Sequence, residues 1–278
     1  MTRTRAGLLA CIACSATACS VPLMKLPAGA GVPAGDGVEA LAQATAACRG
    51  IRTLTAEIGV SGSAAGRRVR VRMLAGVAAP ASVRLEALAP FGAPVFIFAA
   101  TADDATLIFP RDERVLEHGK PDAVLDAVAG VPLGAADLVA TLTGCAPLFP
   151  QASARDLGND WRVVRLAADA VGYNLYLHRE RSAEPWRLVA TTREGTTDAG
   201  WRAEYRDFQN DLPRTIRIAG VGPFDQPKTA AFDLTLALSQ LETNVPLEAD
   251  VFRPEIPSGA DPITLDELRS ARPGIREN

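Results

Sequence analysis

The chain has 278 residues, a formal net charge of −3 and a pI near 5.6, with 48% hydrophobic and 22% charged residues. Such a balance gives no electrostatic case for nucleic-acid binding, which needs a concentrated basic face. The length allows one large β-domain or two smaller ones, and with no internal boundary visible a single domain is expected.

At the N-terminus, Arg3 and Arg5 precede an apolar stretch from Ala6 to Ala18 that is too short to span a bilayer. This is the pattern of an export signal, residues 1–18. The stretch runs into Cys11, Cys14 and Cys19, each preceded by Ala. Small residues before a cysteine resemble the bacterial lipobox, and Cys19 leaves an apolar core of ordinary length, so Cys19 is the expected lipidation site. Each acyl chain there adds roughly 0.8 kcal/mol of membrane affinity per buried methylene, and several chains together make a lasting anchor. Ser20 rather than Asp follows Cys19. Where Asp at that position retains lipoproteins in the inner membrane, Ser20 implies delivery to the outer membrane, with the body facing the periplasm. Residues 19–37 are rich in Pro, Gly and Ala and read as a flexible tether.

Within the body, Val38, Leu41, Ala42, Thr45 and Cys48 suit one face of a short helix. The period then changes to two. Leu54 to Val60, Val69 to Met73 and Val83 to Ala87 alternate as three strands of an antiparallel meander, continued by Val95 to Ala100, Ala105 to Phe109 and Arg114 to Glu117. Arg68, Arg70 and Arg72, next to Arg67, alternate with Val69, Val71 and Met73, which predicts the solvent side of a strand. Two apolar helices follow, around Ala123 to Val128 and Ala136 to Leu142, the second stopped by Gly144. Strands resume with Trp161 to Leu166, Tyr173 to His178, Trp186 to Arg193, Trp201 to Phe208, Arg214 to Ala219 and Ala230 to Leu241. Residues 253–278, carrying Pro254, Pro257 and Pro262, read as a surface tail with one short helix from Thr264 to Arg269. The sum is a mainly β (α+β) chain of 11–12 strands, and so large a sheet with an apolar side must close or be covered, for which the helices are the obvious cover.

With the leader removed and Cys19 lipidated, Cys48 and Cys145 remain. In an oxidising compartment they can pair across a long loop; the alternative is two buried thiols. The only histidines, His118 and His178, lack ligand-spaced neighbours, so no metal site is expected. Glycine-rich phosphate loops and a Gly-x-Ser-x-Gly nucleophile are absent from the sequence. The adjacent carboxylates Asp103/Asp104 and Asp112/Glu113 read as hairpin turns. No catalytic residue and no cofactor is assigned, and the chain is not expected to be an enzyme.

The run from Val83 to Gly92, a strand ending Pro90-Phe91-Gly92, resembles the outer-membrane lipoprotein receptor family, LolB. So do the Leu107 to Leu116 hairpin, the helix Leu133-Gly134-Ala135-Ala136-Asp137-Leu138 leading to Gly144, Trp201 to Tyr205 followed by Leu212-Pro213-Arg214, and the long strand from Ala230. The resemblance spans residues 38–252. It implies a half-open antiparallel barrel with helices over or inside its concave face, and an apolar cavity for acyl chains of lipoproteins or other lipids. It also implies a LolA-like periplasmic carrier as partner, a monomer, and an apolar loop residue inserting into the inner leaflet of the outer membrane. Pro90, Phe91 and Gly92 stand at that loop; Leu85, Phe96, Phe98, Leu138, Phe232, Leu234 and Leu236 are the candidate cavity wall. The tether, the two body cysteines and the extra C-terminal residues depart from the family pattern and leave open a paralogue that serves as a structural or assembly lipoprotein.

Overall fold

A computed structural model describes residues 22–91, 93–147, 151–168, 171–194, 200–221 and 232–271. The leader, Cys19 and Gly92 lie outside these residues. In chain order the elements are β1 (Val32–Pro33), α1 (Gly37–Ala44), α2 (Ala46–Arg49), β2 (Thr53–Ala64), β3 (Arg67–Ala78), β4 (Ser82–Leu88), β5 (Phe96–Thr101), β6 (Asp104–Phe109), β7 (Arg114–Gly119), α3 (Pro121–Ala129) and α4 (Ala135–Thr143). There follow β8 (Gln151–Gly158), β9 (Trp161–Ala168), β10 (Val171–His178), β11 (Arg187–Glu194), β12 (Gly200–Arg206), β13 (Thr215–Val221), β14 (Phe232–Thr243), a 3-10 turn at Ala249–Phe252, β15 (Asp261–Pro262) and α5 (Leu265–Ala271).

All fifteen strands form one open sheet in the order β1-β8-β9-β10-β11-β12-β13-β14-β2-β3-β4-β5-β6-β7-β15. The pairing of β14 with β2 joins two meanders, and the only parallel pair among the described residues is β15 with β7. Alternation sets which side chains face the concave side. Ala56, Ala75, Leu85, Phe98, Leu107 and Leu116 are successive cross-strand partners from β2 to β7, a single apolar row that is buried throughout. This inner side is dry, and the outer side is buried too at Ala99, Ile108 and Val115 of β5–β7 and at Glu204 of β12.

Helices supply the missing half of the core. Val124 and Leu125 of α3, and Leu138, Val139 and Leu142 of α4, are buried against that row. Both helices end on left-handed glycines, Gly130 at φ 71° and Gly144 at φ 64°. At Gly144 a Cβ would stand 2.8 Å from Pro213 Cδ, so both backbone angle and space demand glycine there. A disulfide between Cys48, in α2, and Cys145, just past α4, closes a separation of 97 residues.

The structure adds three strands to the twelve read from sequence. Gln151–Gly158 alternates only the small apolar residues Ala152 and Ala154 before Leu157 on the other parity, and β1 and β15 are two-residue strands containing proline. Three further expectations change. Val38 is 66% exposed; the buried side of the first helix is Gly37, Ala40 and Leu41, with Thr45 and Cys48 following, and the Thr45 hydroxyl donates to Leu41 O at 2.7 Å. The segment beyond Phe252 is more than a surface tail: β15 extends the sheet, and Ile263 and Leu268 join the core. Nor is the described part of the 19–37 segment a free tether. Met24 N–H donates to Glu204 Oε1 at 2.7 Å, Arg202 donates to Met24 O, and Arg155 donates to Ala30 O and Gly31 O. The strap ends in β1, paired with β8.

Candidate functional site

The strand ends of the sheet define a mouth. At one end lie the β2–β3 turn, the β4–β5 loop carrying Phe91, and the β6–β7 turn. Phe91 is 88% exposed, with Pro90 exposed beside it. The loop is nevertheless held: Arg111 of the β6–β7 turn donates from Nη2 to Phe91 O and from Nε to Ala93 O at 3.2 Å. An aromatic ring displayed on a tied loop contributes no burial to the core. Arg67, Arg68, Arg70 and Arg72 are exposed along β3, with Arg72 3.6 Å from Glu57.

The six strand residues among the proposed wall share the inner side of the sheet, and Leu138 packs against the same core from α4. Leu85, Phe98, Leu138, Phe232 and Leu234 are buried there; Phe96 and Leu236 are half-buried against the same core. Among the described residues the wall is closed, with Phe98, Leu107 and Leu133 all at 0% exposure. A ligand of this wall would need α3 or α4 to lift. A recess of about 470 Å³ lies at the far end of β2, lined by residues including Arg52, Thr53, Asn244 and Leu247, away from the mouth and from the apolar wall.

The concave face also holds a polar group that sequence reasoning did not assign. Asp137, on the inner side of α4, accepts a hydrogen bond from the Tyr173 hydroxyl at 2.6 Å, and its other oxygen lies 3.9 Å from Arg193 Nε. Tyr173, Arg193 and Trp201 are cross-strand partners on β10, β11 and β12, and Tyr205 and Thr191 lie beside them, 3.4 Å apart. Burial pushes the Asp137 carboxyl above the usual carboxylate range, outweighing the Tyr173 hydrogen bond and the Arg193 charge, which pull it down. Burial likewise pushes the Tyr205 hydroxyl up to about 12 and the Tyr173 hydroxyl higher still, the latter with Asp137 acting in the same direction. Simple alternation in β11 would turn Ala190 and Thr192 inward. A bulge instead pairs Leu188 with Leu177 but Ala190 with Tyr176, leaving Val189 extra, so Thr191 and Arg193 point inward. The legible signal was Asp137, a carboxylate inside an apolar helix.

Neither histidine is part of this group: His118 lies 3.3 Å from Asp104, and His178 packs on Trp161. Among the described residues no cluster of His, Cys, Asp and Glu could hold a metal ion, and no helix is long and apolar enough to cross a membrane.

No family model matches the sequence, and no curated protein matches it. Solved structures do match. A LolA superfamily protein from Nitrosomonas europaea superposes with a TM-score of 0.52 at 11% identity, over 77% of this chain and 96% of that one. The chain has a LolA-like fold. A DUF1329 family protein from Desulfovibrio piger gives a TM-score of 0.48 at 8% identity, over 77% of this chain and 96% of that one. In the LolA-like fold as this chain builds it, the wall and the polar group share the concave face, and the Phe91 loop projects from the mouth.

Proposed function

We propose that this protein is a LolB-like lipoprotein of the bacterial outer membrane, anchored through Cys19 and facing the periplasm. It accepts acyl chains of lipoproteins from a LolA-like carrier onto its concave face and passes them to the bilayer beside the Phe91 loop. The observation that carries the reading is the construction of the core: a continuous apolar sheet face covered by short helices instead of a second sheet, so that it can be uncovered without breaking strand pairs. On this reading the protein acts by binding, and its inner carboxylate accepts from the Tyr173 hydroxyl.

The tightness of the packing favours a second reading. Phe98, Leu107 and Leu133 are sealed, as expected of a scaffold whose helices never leave and whose outer surface docks envelope partners. One experiment separates the two. The full-length protein is extracted and analysed by mass spectrometry for bound acyl chains, then titrated with a fluorescent fatty acid. Saturable binding supports the receptor reading, and Phe91→Glu should then leave binding and folding unchanged while abolishing transfer of lipoproteins from carrier to membranes. A protein that is empty and does not bind moves the function to the scaffold.

A further inference from the structure

The polar group under α4 is placed where a lipid head would sit. The row Leu166, Tyr173, Arg193 and Trp201 crosses β9 to β12; the next row deeper from the mouth, Val164, Leu175, Thr191, Ala203, Ile218 and Leu234, is apolar except for Thr191. The Arg193 side chain is 24% exposed and the Asp137 side chain 8%. Polar groups near an opening with an apolar wall below match the shape of an acyl chain with a charged end.

The donors also outnumber the acceptors. Arg193 Nε and Trp201 Nε1 are buried without a hydrogen-bond partner among the described residues, and the Asp137 carboxylate stays 3.9 Å from Arg193 Nε. A buried donor left unpaired is costly, so the arrangement favours an incoming anion with several acceptor oxygens. The bulge in β11 has the specific effect of turning Arg193 into the concave face. Asp137 belongs to a helix that must move if the wall is to be reached, while Tyr173, Arg193 and Trp201 belong to the sheet, which stays.

We propose that Tyr173, Arg193 and Trp201 form a head-group site for an acyl lipid with an anionic end, a carboxylate or a phosphate, and that Asp137 fills this site while α4 is closed. The site rests on the acyl-binding reading above but not on lipoproteins as the cargo, whose ester- and amide-linked chains carry no charge at that end: the preferred ligand is a lipid whose chain ends in a negative charge. Asp137 competes with that charge, so the lid helix and the ligand exclude one another.

The test uses the full-length protein and two probes of equal chain length, dodecanoate and 1-dodecanol, in displacement of a fluorescent fatty acid. Dodecanoate should bind about tenfold or more tightly than the alcohol, the worth of hydrogen bonds to a charged group. Arg193→Gln should abolish that preference by weakening dodecanoate alone, and Arg193→Lys should keep much of it. Asp137→Asn should tighten dodecanoate selectively, because the competing charge is gone. Equal affinities for the two probes, or an Arg193→Gln loss equal for both, would overturn the head-group site while leaving acyl binding intact. Binding of neither probe would overturn both.

Discussion

The bridge between Cys48 and Cys145 ties the end of the α4 lid to α2, and its contribution can be worked out from the loop it closes. In the chain-entropy account, a loop of about 100 residues restrains the unfolded chain by about 4.7 kcal/mol, and the separation here is 97 residues. For a domain of this size each kcal/mol moves the melting temperature by about 2–4 °C, so reduction should lower it by about 10–20 °C. The assay is thermal unfolding followed by circular dichroism, with and without reductant, alongside the Cys48→Ala/Cys145→Ala variant. Reduced wild type and variant should agree, since both remove the same restraint, with Cys48 contributing a small further loss from its buried position. The same treatment should loosen α4 and raise hydrogen exchange over residues 135–143 before the sheet is affected. A shift below about 3 °C on reduction would refute the reasoning, because it would mean that the unfolded chain gains almost no freedom when the loop opens.

Two further predictions concern buried charge. A carboxyl whose folded pKa is raised binds its proton more tightly in the folded state, so its contribution to stability is fully present below the ordinary value of 3.8 and is lost as pH rises through the folded value. Urea unfolding from pH 4 to pH 7 should therefore show wild type losing stability relative to Asp137→Asn, and Tyr173→Phe, which removes a bond to the ionised form, should enlarge that loss and extend it to higher pH, at a cost of about 1–3 kcal/mol; parallel profiles would contradict the upward shift of Asp137. Glu204 is fully buried between Arg202 and Arg206, at 2.5 and 2.8 Å, and also holds the strap at Met24. Glu204→Ala should cost about 3–5 kcal/mol and expose residues 22–33 to proteolysis, whereas stability within about 1 kcal/mol of wild type would show that the strap and its charge pair are incidental.

In the first meander β2 and β4 were readable because they keep strict alternation, while β5, β6 and β7 bury neighbouring residues such as Ala99 and Ala100 or Leu107 and Ile108. Leu54 to Val60 and Val83 to Ala87 carry their own burial pattern, and the structure buries the same residues. The helices were readable from their apolar spacing and their glycine ends. What escaped did so for local reasons. Strand β8 packs on the core through Ala154, too small to register as a face, and is recruited by pairing with β9. Arg193 was assigned no inward role because one extra residue at Val189 reverses the phase of everything after it, a shift invisible without the partner strand. The polar group was therefore hidden while the apolar wall around it was plain. Exposure of Phe91 was only an expectation from its turn neighbours Pro90 and Gly92; its holding contact, Arg111, lies 20 residues away and had no sequence signal.

The strap changes what an anchor at Cys19 would do. A free tether through residue 37 would span about 18 residues and let the body wander up to roughly 60 Å from the membrane, at 3.3–3.6 Å per residue. Because the backbone of Met24 is fixed on β12 by Glu204 and Arg202, only five residues separate the anchor from the folded sheet, a reach of about 18 Å. That distance is shorter than the domain, so an acylated Cys19 would hold the sheet against the bilayer and restrict its orientation. A Phe91 loop that must touch the membrane needs such a restriction, since one exposed ring binds a bilayer too weakly to find it alone. Releasing the strap through Glu204→Ala should then impair lipoprotein transfer even where the remaining fold is intact and Phe91 is unchanged. Transfer that survives release of the strap would show that the loop finds the bilayer without it, and would return the segment after Cys19 to the role of a simple tether.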